Sequence, residues 1–396
     1  MEYDLVFEGG GAKGMAFVGA MAAFEAAGHT YRRVIGSSAG AITALTLAAG
    51  YTAAEMQTAL SESVDDRPVF TSFLGEPSLP EEEGWMESSA FAGFLRSLDK
   101  PLIPDRLEAR VDKVLLRALA ANSKGRHLLS FMDYGGWFAA DAFVGWLERK
   151  LDEDAAAGRP RHFGRLTFAE LHERTGIDLS LTGSDVTNNH LLILNHRTAP
   201  DLPVVWGTRM SMSLPLVWQE VVWQEEWGRY RGHSATGHVI VDGGLLSNFP
   251  IELLVSDAAE VAAVMGPRPD NPVLGFLIDE RLPVPGAPAA EKAGAAARLG
   301  ELRTVQRLKG LVDTVTQARD KSVIASNERR VVRLPARGFG TTEFDMTEHR
   351  RAALVEAGRA ATQAHLDAAG GLESMEVVDT AESDRIAVKM LDMSDF

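Results

Sequence analysis

Tyr31-Arg32-Arg33-Val34-Ile35-Gly36-Ser37-Ser38-Ala39-Gly40, continued by Ala41-Ile42-Thr43-Ala44-Leu45-Thr46-Leu47-Ala48-Ala49-Gly50, decides the fold. A short apolar run meets a Gly/Ser turn. The turn opens into an apolar segment too long for a strand and closed by glycine, so the stretch reads as strand, tight turn, helix. The residues before it repeat the pattern. Tyr3 to Glu8 is a strand candidate, Gly9-Gly10-Gly11-Ala12-Lys13-Gly14 is the turn, and Met15 to Ala27 is a helix stopped by Gly28. Two βα units in series predict a three-layer α/β/α fold with a mostly parallel central sheet.

Outward from this core the character changes between about residues 61 and 165. Pro68, Pro77, Pro80, Pro101 and Pro104, the acidic run Glu81-Glu82-Glu83, and scattered Phe and Trp predict a largely helical insertion or cap. Strand candidates resume at Ile177 to Asp185, Leu191 to Leu194, Val217 to Trp223, Val239 to Val241, Val273 to Ile278 and Val331 to Leu334. Trp218, Trp223 and Trp227 alternate with polar residues, as in a half-buried hairpin. Pro283 to Ala297 reads as a loop, and Leu302, Val305, Leu308, Val312 and Val315 share one helical face. Asp345 with Glu348 predicts a capping box for a last helix running to Gly370-Gly371. The expected organisation is one domain over residues 1–372 and a C-terminal tail at 373–396.

Composition narrows the function classes. Of 396 residues, 45% are hydrophobic and 24% charged, which excludes collagen-like, coiled-coil and wholly disordered chains. Forty Lys and Arg against fifty-five Asp and Glu give a net charge of −15, which argues against nucleic acid and against an electrostatic grip on an anionic bilayer. With no cysteine there is neither a thiolate metal site nor a cysteine nucleophile. The start lacks a basic, apolar leader and no long apolar run is present, so a cytoplasmic protein, at most peripherally attached to membranes, is expected.

Gly36-x-Ser38-x-Gly40 fits a nucleophile elbow, in which flanking glycines clear space around an exposed serine at a helix N-terminus. Its alternative is a flexible Gly/Ser turn. Gly9 to Gly14 exposes backbone N–H groups that can bind a phosphate or an oxyanion. Gly9-x-Gly11-x-x-Gly14 also matches the dinucleotide fingerprint, but Val34-Ile35-Gly36 stand where an NAD site needs an acid, and only Arg32 and Arg33 favour NADP. Lys13 is either a source of positive charge for the loop or a solvated first-turn lysine. Asp242, before Gly243-Gly244, follows the run His238 to Val241. A carboxylate at that strand end can act as general base to Ser38, or simply open a glycine turn. His349 and His365 would complete a triad in chain order, yet both fall inside the final helix. Phe70 to Leu74 and Trp137-Phe138 read as core or as a lipid-facing lid. No metal-site motif appears, so no metal or cofactor is expected.

Gly9 to Gly14, Gly36 to Gly40, Ser211-Met212-Ser213-Leu214-Pro215, and Asp242-Gly243-Gly244 with Asn248 and Pro250, in this order, resemble the patatin-like phospholipases. The resemblance covers residues 3 to 50 and 177 to 260 well, Gly340 to Gly358 loosely, and neither the insertion nor the tail. It departs at Glu8, where the family often has Asp, a swap expected to be silent. The resemblance implies a Ser38–Asp242 dyad, with Gly36, Gly40, Gly243 and Gly244 shaping the two turns. It also implies an oxyanion hole within Gly9, Gly10, Gly11, Ala12 and Lys13. The implied activity is calcium-independent hydrolysis of phospholipid or other acyl lipid through an acyl-serine, with transient membrane contact, the insertion shaping the acyl pocket, and an activating ligand or protein as a further partner. A short-chain carboxylesterase or triacylglycerol lipase, a dinucleotide-dependent oxidoreductase and a silent lipid-binding regulator are the competing readings.

Overall fold

Glu2–Phe7 (β1) and Thr30–Gly36 (β2) pair in parallel, with Leu5 opposite Val34 and Phe7 opposite Gly36, in a computed structural model that describes residues 1–64, 67–77, 85, 89–97, 105–288, 324–369 and 381–392. Side chains alternate between the two faces of these strands. Leu5, Phe7 and Val34 join one core, while Val6 and Ile35 join another. Both faces are therefore buried, which is why the strands are apolar without polar alternation.

Six further strands complete the sheet: Asp178–Asp185 (β3), His190–Leu194 (β4), Val221–Val222 (β5), Val239–Asp242 (β6), Val273–Pro283 (β7) and Val331–Arg337 (β8). Their order is β8-β7-β1-β2-β3-β6-β5, with β4 also on β3. The strands from β8 to β3 run parallel, whereas β4, β5 and β6 join through antiparallel pairings. Helices Met15–Ala26 (α1), Ala39–Ala48 (α2), Val204–Ser211 (α3) and Glu348–Ala369 (α4) contribute to the first core. Ala381–Met390 (α5), within the stretch set apart as a tail, buries Ala387 and Met390 in the second core beside Phe249 to Met265. The fold is the expected three-layer α/β/α arrangement.

The insertion is largely helical among the described residues, with helices at Ala90–Ser97, Asp105–Ala120, Ser123–Tyr134 and Asp141–Asp152. The first three pack around a small core of Ala92, Leu116 and Leu129. Phe73, Phe143 and Trp146 belong instead to the main core, so the Phe70 to Leu74 segment is anchored there, with Phe73 fully buried.

Three local expectations are corrected. Val217 to Trp223 is not one strand: Leu216–Trp218 pairs with Gly136–Phe138, Gln219 and Glu220 turn their N–H groups to Phe138 O and Tyr134 O, and Val221–Val222 pairs with β6. The three tryptophans are consequently buried, not half-exposed in a hairpin. The last helix starts at Glu348, which leaves Asp345 outside the capping position. The helical face from Leu302 to Val315 lies outside the described residues. Among those described, no helix is long and apolar enough to cross a membrane.

Candidate active site

β2 ends at Gly36 and α2 begins at Ala39, so Ser37 and Ser38 must reverse the chain within two residues. Ser38 adopts φ 52° and ψ −118°, a conformation that a non-glycine residue holds only when its surroundings enforce it. Those surroundings are backbone. A Cβ on Gly36 would lie 2.1 Å from the Gly40 carbonyl oxygen, and one on Gly40 would lie 2.3 Å from the Phe7 oxygen. Ser37 is buried, donating to Ser247 O at 3.0 Å and accepting from Thr182 Oγ1 at 2.7 Å. Ser38 stays half-exposed, and its N–H donates to Ser211 Oγ at 3.1 Å.

Asp242 reaches this turn by a route the sequence did not suggest. A parallel sheet would place it with Ser38 at a common C-terminal edge, but β6 is antiparallel to β3. β3 extends past the end of β2, since Gly36 pairs with Leu181 while Asp242 pairs with Gly183. β6 runs back along this overhang and delivers its last residue to the elbow. The Asp242 N–H donates to Ser213 O at 3.0 Å, its Oδ1 accepts from Gly244 N–H at 2.7 Å, and the Ser38 hydroxyl stands close enough to its carboxylate to lower its proton affinity. Burial pushes the Asp242 carboxyl up to about 6, against the lowering effect of the neighbouring Ser38 hydroxyl and of the Gly244 hydrogen bond.

The glycine loop lies directly against the serine. A Cβ on Gly9 would come within 3.1 Å of Ser38 Cβ. Of the five residues expected to form an oxyanion hole, three have committed N–H groups. Gly9 donates to Asn248 O (3.1 Å), Ala12 to Thr341 O (2.9 Å) and Lys13 to Gly10 O (3.2 Å). Gly10 and Gly11 are left as the loop donors with no backbone partner among the described residues. Gly11 has φ +55°, and a Cβ there would meet Thr341 O at 2.2 Å, so only glycine fits. Lys13 is not a solvated lysine: it is buried and ion-paired with Glu280.

Several supporting residues had no role in the sequence reading beyond membership of a motif. Asn248 Nδ2 donates to Glu8 Oε1 and to Gly9 O, each at 3.1 Å, tying the glycine loop to the turn after Asp242. Glu8 is thus engaged, since its Oε2 also accepts from Ile278 N–H at 2.6 Å. Arg209 is buried, donates to Ser213 Oγ and to Gln219 O (2.6 Å), and is pulled down to about 10 by desolvation. It anchors the segment whose Ser211 holds the Ser38 amide and whose Ser213 carbonyl holds the Asp242 amide. The serine pair Ser211-x-Ser213 was the available signal, but nothing local says that two hydroxyl-bearing residues on a helix end will face a distant strand. Gly243 is equally constrained, because a Cβ there would stand 2.0 Å from Thr182 Oγ1.

The rival constellations do not assemble. His349 and His365 both lie within α4, and burial lowers the proton affinity of His365. Arg33 lies mid-way along β2, donates to Met265 O at 3.0 Å and faces Asp4, so it does not furnish an NADP phosphate contact at the glycine loop. Among the described residues, no group of three or more His, Asp or Glu is placed to hold a metal ion.

The chain is 28% identical over 373 residues to the uncharacterized protein YqhO of Bacillus subtilis, covering 92% of this chain and 98% of that one. Among solved structures, VipD from Legionella pneumophila superposes with a TM-score of 0.45 at 18% identity, over 93% of this chain and 67% of that one. ExoU, the type III effector of Pseudomonas aeruginosa, superposes with a TM-score of 0.39 at 19% identity, over 93% and 53%. The patatin-like phospholipase profile matches residues 5–255, which contain both turns and the glycine loop, and the chain belongs to this family of lipid acyl hydrolases.

Proposed function

We propose that the protein is a calcium-independent lipid acyl hydrolase of phospholipase A or lysophospholipase type, with Ser38 as nucleophile and Asp242 as general base. The observation that carries this reading is a strained, half-exposed serine set beside a buried carboxylate of raised proton affinity. Ser38 Oγ attacks the ester carbonyl carbon as its proton passes to Asp242. The oxyanion is met by the Gly10 and Gly11 N–H groups, fixed dipoles that take the place of a cation. Collapse breaks the ester C–O bond, and the leaving alcohol takes the proton from Asp242. Water then gives a proton to Asp242 and attacks the acyl-Ser38 carbonyl; collapse breaks the acyl–Oγ bond, Ser38 Oγ takes the proton back from Asp242, and a fatty acid is released.

The test is fatty-acid release from mixed phospholipid vesicles and from a short p-nitrophenyl ester, with EDTA present, for wild type and Ser38→Ala. Loss of both activities in a folded Ser38→Ala protein is expected. Hydrolysis of the short ester alone by wild type would mean a competent esterase site that needs an activator to reach lipid. Wild-type turnover by Ser38→Ala would sink the dyad, and nucleotide binding at Gly9 to Gly14 would then be measured.

Ser211→Ala is expected to lower kcat/KM by roughly tenfold with little loss of stability, because one buried hydrogen bond to the elbow amide contributes on the order of 1 kcal/mol. A rate within twofold of wild type would show that Ser38 is positioned without it.

A further inference from the structure

β2 and β3 begin beside a cavity of about 220 Å³, at the end of the sheet away from the dyad. Arg32, Arg33 and Arg197 line it together with His172, Asp178 and the prolines on either side of Arg268. Three guanidiniums thus face one lining carboxylate, in a chain whose net charge is −15. Arg33 is buried. Its Nη2 donates to Met265 O at 3.0 Å and its Nη1 stands 3.6 Å from Asp4, but its Nε has no hydrogen-bond partner. A buried guanidinium N–H without an acceptor is costly, and in native proteins such a group marks an absent water or anion.

The surroundings keep the positive charge close together. Arg197 Nη1 bonds Asp178 Oδ2 at 2.8 Å, and Gly266 leaves room for this side chain, since a Cβ there would lie 2.7 Å from Arg197 Nη2. Burial disfavours the Arg33 charge most, Asp4 and Asp178 favour it, and Arg197 and Arg268 repel it by smaller amounts. Asp4, behind Arg33, offsets one charge and is itself held up to about 6 by burial. His196 stacks on His172 with ring centroids 3.7 Å apart, and burial drives His196 down to about 4, so it adds no cation at neutral pH.

We propose that this cavity binds a phosphate-class anion, gripped by Arg32, Arg33 and Arg197. Guanidiniums present paired N–H donors that match the oxygens of a phosphomonoester. The volume admits a phosphate and a small part of its carrier, and excludes a dinucleotide. Arg33 lies three residues before the end of β2 at Gly36, roughly 10 Å at about 3.3 Å per residue, and Ser38 stands beyond that end in the turn, so the site is separate from the esterase centre.

The experiment titrates the full chain with inorganic phosphate and with glycerol 3-phosphate, by calorimetry and thermal melting, against chloride at matched ionic strength. Arg32→Ala and Arg197→Gln are compared with Arg359→Ala, which removes an exposed cation from α4. Binding by wild type and by Arg359→Ala is expected, weakened roughly tenfold or more in the two cavity variants. Arg32 is exposed, so its variant retains the fold, as melting in chloride will verify. No binding above the chloride control, or equal binding by all variants, overturns the proposal. Sedimentation with phosphatidylcholine vesicles, with and without phosphatidic acid, separates the sources. Pull-down that requires both phosphatidic acid and Arg32 assigns a lipid headgroup, whereas binding of the free phosphates alone assigns a soluble ligand. None of these readouts depends on ester hydrolysis, so the outcome is independent of the dyad.

Discussion

Asp242→Asn is expected to reduce ester hydrolysis by about a thousandfold or more, the scale on which removal of a single member of a catalytic Ser/acid unit acts, while leaving the protein more stable at neutral pH. The two effects have one cause. Burial raises the Asp242 carboxyl from 3.8 to about 6, so the folded state binds the proton more tightly than the unfolded chain does. The stability this contributes is fully present below the unfolded value, and is lost as pH rises through the folded one. Above about pH 6 the folded protein carries a buried carboxylate whose destabilisation, at about 1.4 kcal/mol per pH unit, is on the order of 3 kcal/mol. Asparagine keeps an oxygen to accept from Gly244 N–H but carries no charge. Its melting temperature at pH 8 should therefore exceed that of wild type by a few degrees, and the difference should vanish toward pH 4. For wild type, kcat/KM should rise with pH through about 6 as the base ionises. Full activity in Asp242→Asn, or a flat pH profile between 5 and 8 at about unit resolution, would remove Asp242 from the base role.

Gly36→Ala is expected to be among the most damaging methyl additions in the chain's first βα units. The new Cβ would lie 2.1 Å from Gly40 O, 2.3 Å from Gly40 C and 2.7 Å from Ala41 N, all backbone atoms. Retreat is blocked, because Gly40 is itself wedged against the Phe7 carbonyl. Either α2 shifts off β2 and the elbow opens, or the chain fails to fold, and we expect a loss above about 4 kcal/mol in urea denaturation, the range reserved for core disruption. Gly50→Ala is the control. Gly50 ends the same helix segment with φ +75° and open space around its Cβ position, so its replacement should cost only about 1 kcal/mol. Any Gly36→Ala protein that folds should have lost labelling of Ser38 by a fluorophosphonate. A variant with near-wild-type stability and labelling would mean that the turn is far more compliant than its contacts indicate.

Much of the fold was legible in local sequence. Both βα units, the strand candidates at residues 177–185, 191–194, 239–241, 273–278 and 331–334, and the last long helix match elements of the structure within a few residues. The helix and strand periods of these segments reflect how the backbone alternates its side chains, and that is a local property. The tryptophan-rich segment failed for the same reason. Its alternation imitates a surface hairpin, but its two halves pair with different strands far away in sequence.

By itself the sequence determined the two glycine turns, the serine at the second of them, the acid before Gly243 and the layered α/β class, because each depends on residue types within one turn or one strand. Only the tertiary structure decided how these parts meet. The sequence does not encode locally that β6 runs antiparallel along the overhang of β3, yet this pairing is what carries Asp242 to Ser38. Nor does it show that Asn248, Thr341 and Gly10 occupy three of the loop's N–H groups and leave two, or that Ser211 holds the elbow amide. Strand order, register and the pairing of hydrogen-bond donors with acceptors are settled by burying the whole sheet at once, and a polar group's partner is whichever acceptor that burial brings within reach.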